Sequence, residues 1–313
     1  MQDILTCAMG LDIHRDVIVA CLAKGELGTD PEIEIRSFST LIPEMRKLRD
    51  WVLEAECRYV AMESTGIYWQ PIYEMLEPCF DGQINILVVN ARHMKNVPGR
   101  KTDMRDAQWI ATLLRAGLLK GSFIPDKTFR ELRHLTRYRK SIVRDITAQK
   151  NRIDKFLQSS GFRFTAFLSD AFGASGRNII RHLMEYGNIS REALDRCLKT
   201  QTRKRIDEIL IALNGSLSEH QRGFLRMIFG HLEALEQHRH TVEDAITKEI
   251  TKHEEALSLL CSIPGIDVTA AAAIIAEIGT DMSAFPDSQH ICSWAGLSPG
   301  NNESAGKRKS AHI

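Results

Sequence analysis

Four carboxylates and one serine are the residues of this chain whose types and spacing could do chemistry. Asp103 and Asp106 stand three residues apart at the head of a helical pattern, just after the basic lead-in Gly99-Arg100-Lys101-Thr102. On a helix they are surface neighbours, and both border the apolar stripe Met104, Ala107, Ala111, Leu114 and Leu118. Asp12 closes the apolar run that starts at Ile4, and Glu63 closes the run that starts at Tyr59. Carboxylates brought together repel one another unless cations sit between them. Convergence of these four would therefore specify a divalent site, and oxygen donors favour Mg²⁺ or Mn²⁺. Two such ions, roughly 3.5 to 4 Å apart, activate an attacking oxygen and stabilise a leaving one in phosphoryl transfer. Each acid also has a plainer reading, as a first-turn acid complementing a helix dipole or as a strand-end acid in a turn. Ser304 lies in the loop Asn301-Asn302-Glu303-Ser304-Ala305-Gly306-Lys307-Arg308-Lys309. It is either a flexible polar residue or a nucleophile against which Lys307 and Arg308 hold a phosphate.

These residues need elements to position them. The run from Ile4 to Asp12 is nearly unbroken in its apolar character and ends in an acid, as in a central strand covered on both faces. Residues 17–23 and 33–38 read as two further strands of an antiparallel meander. A helix over 43–56, a strand over 59–63, a short helix over 69–76 and a strand over 84–89 follow. The helix over 103–119 comes last, with Thr102 as its N-cap and Gly117 and Gly121 at its end. The order βββαβαβα is that of ribonuclease-H-like folds, in which acids of the first strand, the fourth strand and a later helix converge. Sugar-kinase-like ATPases share the fold but need glycine-rich phosphate turns. Asp12-Ile13-His14-Arg15 has no glycine, and Ser64-Thr65-Gly66 is a weak substitute.

At 313 residues the chain is long enough for two or three domains, and a net charge of +1 hides locally basic segments. We divide it into residues 1–122, an α/β RuvC-like domain, residues 123–258, a helical coiled-coil-like region with an insert over 161–214, and residues 259–313, a mostly α C-terminal part. The helix over 129–157 carries Arg133, Arg137, Arg139, Lys140 and Arg144 beside an apolar seam. It reads equally as a nucleic-acid backbone binder and as a solvated charged helix. A second long helix over 217–260 would pair with it antiparallel and offer a dimerisation surface. His231, His238, His240 and His253 read as surface histidines. Ile263-Pro264-Gly265-Ile266-Asp267 before a helix over 268–278 resembles a helix-hairpin-helix turn, with Asp267 either admitting a phosphate or only capping the helix. The seven cysteines are scattered without metal-ligand spacing and read as buried thiols. No signal peptide or membrane span is visible, so a cytoplasmic protein is expected.

Taken together, Gly10-Leu11-Asp12, Glu63-Ser64-Thr65-Gly66, Lys101-Thr102-Asp103-Met104-Arg105-Asp106, the Ile263-Pro264-Gly265-Ile266 turn and Ala295-Gly296-Leu297-Ser298-Pro299 with Glu303-Ser304-Ala305-Gly306-Lys307 resemble the bacterial insertion-sequence transposases of the DEDD type. That family joins a RuvC-like N-terminal domain to a C-terminal serine transposase domain and is related to Piv-type DNA invertases. The resemblance implies that Asp12, Glu63, Asp103 and Asp106 bind Mg²⁺ or Mn²⁺ and that Ser304 forms a phosphoserine intermediate with DNA. It further implies a noncoding bridge RNA pairing with donor and target DNA, and a homo-oligomer, dimer or tetramer, with composite sites. Arg100, Lys101, the cations of the basic helix, Lys307 and Arg308 would hold nucleic acid. The family's serine domain continues past this loop, whereas here Ile313 stands nine residues beyond Ser304. An unfolded, inactive loop is therefore also expected. Two alternatives stay open: a metal-dependent nuclease of the Holliday-junction-resolving kind, and a truncated, non-catalytic RNA- or DNA-binding copy.

Overall fold

The computed structural model describes residues 3–64, 66–90 and 106–298, with the backbone of 303–304 and 307–308. The chain forms two compact units, Met1–Ile124 and Pro125–Ile313. Among the described residues no helix is long and apolar enough to cross a membrane.

In the first unit, strands β1 (Cys7–Ile13), β2 (Val17–Lys24) and β3 (Glu32–Ser39) form the meander. Helix α1 (Ile42–Glu54), β4 (Tyr59–Glu63), α2 (Gln70–Leu76), β5 (Asn85–Val89) and α3 (Asp106–Arg115) follow. The sheet order is β3-β2-β1-β4-β5, with β4 parallel to both of its neighbours. Strand alternation gives each face its own partner. Met9, Leu11, Ile13, Val60 and Met62 pack with Leu48, Trp51 and Val52 of α1 and Ile72 and Leu76 of α2. The opposite face carries small side chains, with Ala8 and Ala61 against Ile110 and Leu114, and Cys21 and Ala23 against Ala107 and Ala111. Small residues let α3 lie close to the sheet. At Gly10 the approach is so tight that a Cβ would fall 2.2 Å from the Ala107 carbonyl oxygen and 2.4 Å from the Ala111 nitrogen.

The apolar pattern of α3 runs on to residue 119, but the helix stops at Arg115 because Gly117 turns to φ +67°. Arg115 is 1% exposed and fastens that end. Its Nε–H donates to the Leu5 carbonyl at 2.9 Å, and a terminal nitrogen donates to the carbonyls of Gly25 at 3.1 Å and Glu26 at 2.8 Å. Asp3 supplies a counter-charge at 3.3 Å.

The second unit is built on α4 (Lys127–Ser159) and α9 (Glu219–Ile250), of 33 and 32 residues. They run antiparallel, since Arg139 meets Glu243, Gln149 meets Ile228 and Phe156 meets Phe224. Between them lie α5 (Ala174–Tyr186), α6 (Arg191–Cys197), α7 (Thr200–Arg203) and α8 (Ile206–Ala212). Phe162, Phe164, Ile179, Leu183, Leu194 and Ile209 from this stretch share one core with Ile146 and Ile153 of α4 and Leu225 and Phe229 of α9. Ser218 opens α9 with a reciprocal capping box to Gln221. The helix expected over 217–260 is divided: α9 ends at Ile250, a 3₁₀ turn covers Thr251–His253, and α10 (Glu254–Cys261) follows. No glycine or proline marks the break. There the His253 ring packs on Phe129, 4.8 Å between centroids, so a tertiary contact overrides helix propensity. His253 is accordingly half-buried rather than a surface residue, whereas His231, His238 and His240 are exposed. Helices α11 (Val268–Ile278) and α12 (Ser288–Trp294) complete the unit, with Ala272, Ile275 and Ala276 of α11 in the shared core.

Gly10→Ala should lower the stability of the N-terminal unit by about 2 kcal/mol, because the new methyl must displace helix backbone rather than a flexible side chain. Urea unfolding followed by circular dichroism reads this loss, and an unchanged midpoint would contradict the close seat of α3.

Candidate active site

Asp12 and Glu63 occupy matching places on adjacent parallel strands. The register pairs Gly10 with Ala61 and Leu11 with Met62, so Asp12 and Glu63 each follow the last paired residue of their strand. Counting by twos from Gly10 and Ala61 places both acids on the face that carries α3. Helix direction does the rest. Ala8 lies in the cluster of Ile110 and Leu114, whereas Gly10 touches Ala107 and Ala111, so α3 runs back along β1. Asp106 is the first residue of that helix as described and is exposed. Asp103, Arg100 and Lys101 lie outside the described residues. Among the described residues no group of three or more acids, histidines or cysteines is arranged to hold a metal ion.

Asp12 is largely covered, with a side-chain exposure of 15%, and its Oδ2 lies 3.2 Å from Nε2 of His14, which is 61% exposed. From sequence His14 is only a turn residue, and it does lie just past β1, where its N–H donates to the Val17 carbonyl at 2.9 Å.

Ser304 lies in a short antiparallel pairing of β6 (Glu303–Ser304) with β7 (Lys307–Arg308), in which Glu303 is opposite Arg308 and Ser304 opposite Lys307. The loop expected to be unfolded thus has paired backbone. The side chains of Ser304, Lys307 and Arg308 lie outside the described residues.

On the basic helix α4 the sequence-assigned cations divide. Arg133 donates to the carbonyls of Ala276 at 3.3 Å and Glu277 at 2.8 Å, and Glu277 Oε2 lies 3.0 Å away. Burial holds the Arg133 pKa below the usual arginine value, with Glu277 opposing. Arg137 grips the same carboxylate with two nitrogens at 2.8 and 2.9 Å, and Arg139 donates to Glu243 at 2.9 Å. These three therefore fix α11 and α9 to α4. Lys140 and Arg144 are exposed, with no ion pair among the described residues. At the hairpin-like turn, Asp267 Oδ1 accepts from the Ala270 N–H at 2.7 Å, so a carboxylate already caps α11 where a phosphate would bind. All seven cysteines are free thiols. Cys21, Cys57 and Cys79 are buried, and burial pushes the Cys21 thiol up to about 11, but Cys7, Cys197, Cys261 and Cys292 are only partly covered.

Residues 9–161 match a family model described as Transposase, of the IS110 DEDD kind. Residues 257–313 match that of the Transposase IS116/IS110/IS902 family. A Streptomyces coelicolor protein named "Insertion element IS110 uncharacterized 43.6 kDa protein" is 28% identical over 222 residues, 64% of this chain and 53% of that protein. The match spans about half the length of that relative.

Glu277→Ala strips two arginines of a shared, partly solvent-screened partner and should destabilise the C-terminal unit by about 1 to 2 kcal/mol. Glu233→Ala, which breaks the exposed pair with Arg181, should cost less than about 0.5 kcal/mol. Thermal unfolding of the two variants compares them, and equal losses would contradict a structural role for the Arg133–Glu277–Arg137 clamp.

Proposed function

We propose that this chain, which two IS110-family transposase models match over residues 9–161 and 257–313, cuts and rejoins DNA at insertion-element ends, using the carboxylates of its N-terminal unit together with Ser304. What supports this reading is the pair of family matches together with the parallel pairing of β1 and β4, the two strands whose ends carry Asp12 and Glu63. Like charges so placed call for a counter-ion, and a hard oxygen donor set fits Mg²⁺ or Mn²⁺. Asp12, Glu63, Asp103 and Asp106 are the residues we assign to hold it. When bound, a divalent ion supplies charge neutralisation to these acids and to a scissile phosphate.

The Ser304 hydroxyl is the nucleophile. Its oxygen bonds to phosphorus as the phosphorus–sugar oxygen bond breaks, its proton is lost, and the departing sugar oxygen takes one up. Attack by a sugar hydroxyl on the phosphoserine reverses these changes and rejoins the strand. Lys307, opposite Ser304 in the β6–β7 register, is suited to hold the phosphate. A noncoding bridge RNA and a homo-oligomer with composite sites belong to the same proposal, with Arg100, Lys101, Lys140, Arg144 and Arg308 as backbone contacts. Arg133, Arg137 and Arg139 have internal partners, so their part is to hold the surface on which Lys140 and Arg144 stand.

The test is a denaturing gel of the protein with element-end DNA, co-expressed noncoding RNA and Mg²⁺. Wild type should give a slow, protease-sensitive DNA species that Ser304→Ala abolishes, and Asp12→Asn should abolish both adduct and cleavage. Cleavage without adduct, lost in Asp12→Asn alone, would replace the serine step by direct cutting. Nucleic-acid binding with no cleavage in any form would reduce the protein to a binder. Separately, Lys140→Ala and Arg144→Ala should each lower the slope of log affinity against log salt by about one, measured by filter binding. Unchanged slopes would remove both residues from the contact.

A further inference from the structure

We propose that Cys7 and Cys57 are a redox-active thiol pair, in which Cys7 attacks a peroxide and Cys57 resolves the product to a disulfide. The pair belongs to no step of the nucleic-acid chemistry above. Strands β1 and β4 are parallel neighbours, Cys7 opens β1 and Cys57 stands two residues before β4, so both thiols lie at the same end of the sheet. They share one apolar cluster, with Cys57 fully buried and Cys7 half-buried. A peroxide therefore meets Cys7 first.

Cations converge on that outer sulfur. Lys24 is directly opposite Cys7 in the antiparallel β1–β2 pairing and so shares its face. Strand β1 lies between β2 and β4, and Lys24 Nζ donates to the Ala55 carbonyl at 3.2 Å, two residues before Cys57. The lysine side chain thus crosses β1 at Cys7. Arg115, whose Nε–H donates to the Leu5 carbonyl, adds a second charge. The one Cys57 S–H proton can go to the Tyr59 carbonyl, 3.3 Å from the sulfur, or to the Cys7 sulfur. An ionised Cys7 is the stronger acceptor. That hydrogen bond, together with the Lys24 and Arg115 charges, holds the Cys7 thiol below the ordinary thiol value against its partial burial. The same contact, with burial, holds Cys57 above it. Cys197, also half-buried, is held up by burial despite Arg196.

The Cys7 thiolate bonds to one peroxide oxygen as the O–O bond breaks, giving a sulfenic acid and a hydroxide that takes up a proton. The Cys57 sulfur then bonds to the Cys7 sulfur, the S–O bond breaks, and the oxygen leaves as water with the Cys57 proton. The two thiols are oxidised to one disulfide and the peroxide is reduced to water.

The test uses the full, reduced chain with hydrogen peroxide, read by mass spectrometry of the digested protein. Wild type should give a Cys7–Cys57 cross-link, and Cys57→Ala should instead leave Cys7 as a sulfenic acid that dimedone captures. Before any oxidant is added, iodoacetamide at neutral pH should alkylate Cys7 at least about tenfold faster than Cys197. Lys24→Met should slow Cys7 severalfold, whereas Lys24→Arg should keep it fast. Peroxide treatment that yields no Cys7–Cys57 cross-link, or a Cys7 alkylated no faster than Cys197 in the folded wild-type chain, would overturn the pair. Both of those measurements are made without substitution, so they decide the matter even where a Cys57 variant fails to fold.

Discussion

The N-terminal unit depends on one close contact, the seat of α3 on the small-residue face of the sheet. Gly10 leaves no room for a side chain between β1 and the helix backbone at Ala107 and Ala111. Ala8, Ala61, Cys21 and Ala23 extend that floor. A helix resting on larger residues would stand farther off. Arg115 fixes the other end of the same helix by donating to three carbonyls that flank β1 and β2. A buried guanidinium is costly unless paired, and here backbone oxygens accept from Nε and Nη2 while Asp3 supplies a counter-charge. Helix α3 is therefore held in register as well as in height.

The C-terminal unit uses charge differently. Long helices with few acids invite the inference that their cations are free for phosphates, yet α4 spends three of its arginines on Glu277 and Glu243. The Glu277 pairs tie α11 to α4 and the Glu243 pair ties α9 to α4, so the cations that remain exposed, Lys140 and Arg144, stand on a braced surface. Asp267 acts in the same sense at the hairpin-like turn, where its carboxylate closes a helix N-terminus that would otherwise attract anions.

Much of the fold was legible because hydrophobic period and turn chemistry agree. The β4 limits at Tyr59 and Glu63 and the α11 limits at Val268 and Ile278 coincide with the sequence expectation, each closed by a clear stop. Legibility fails where a distant contact decides. The break after Ile250 depends on His253 meeting Phe129, and apolar periodicity carries no trace of it. At the site, Asp12 and Glu63 were readable as acids ending apolar strands. The partners of Arg133 and Arg137 were not, because Glu277 lies more than a hundred residues away and no local rule links them.

The proposed function requires that Asp12 and Glu63 share one cation position. Diffraction from crystals soaked in Mn²⁺, with anomalous scattering recorded at the manganese edge, tests it most directly. The account predicts an anomalous peak within coordination distance of the Asp12 and Glu63 carboxylates. Manganese bound elsewhere on the protein, with no peak between those two acids, would contradict it.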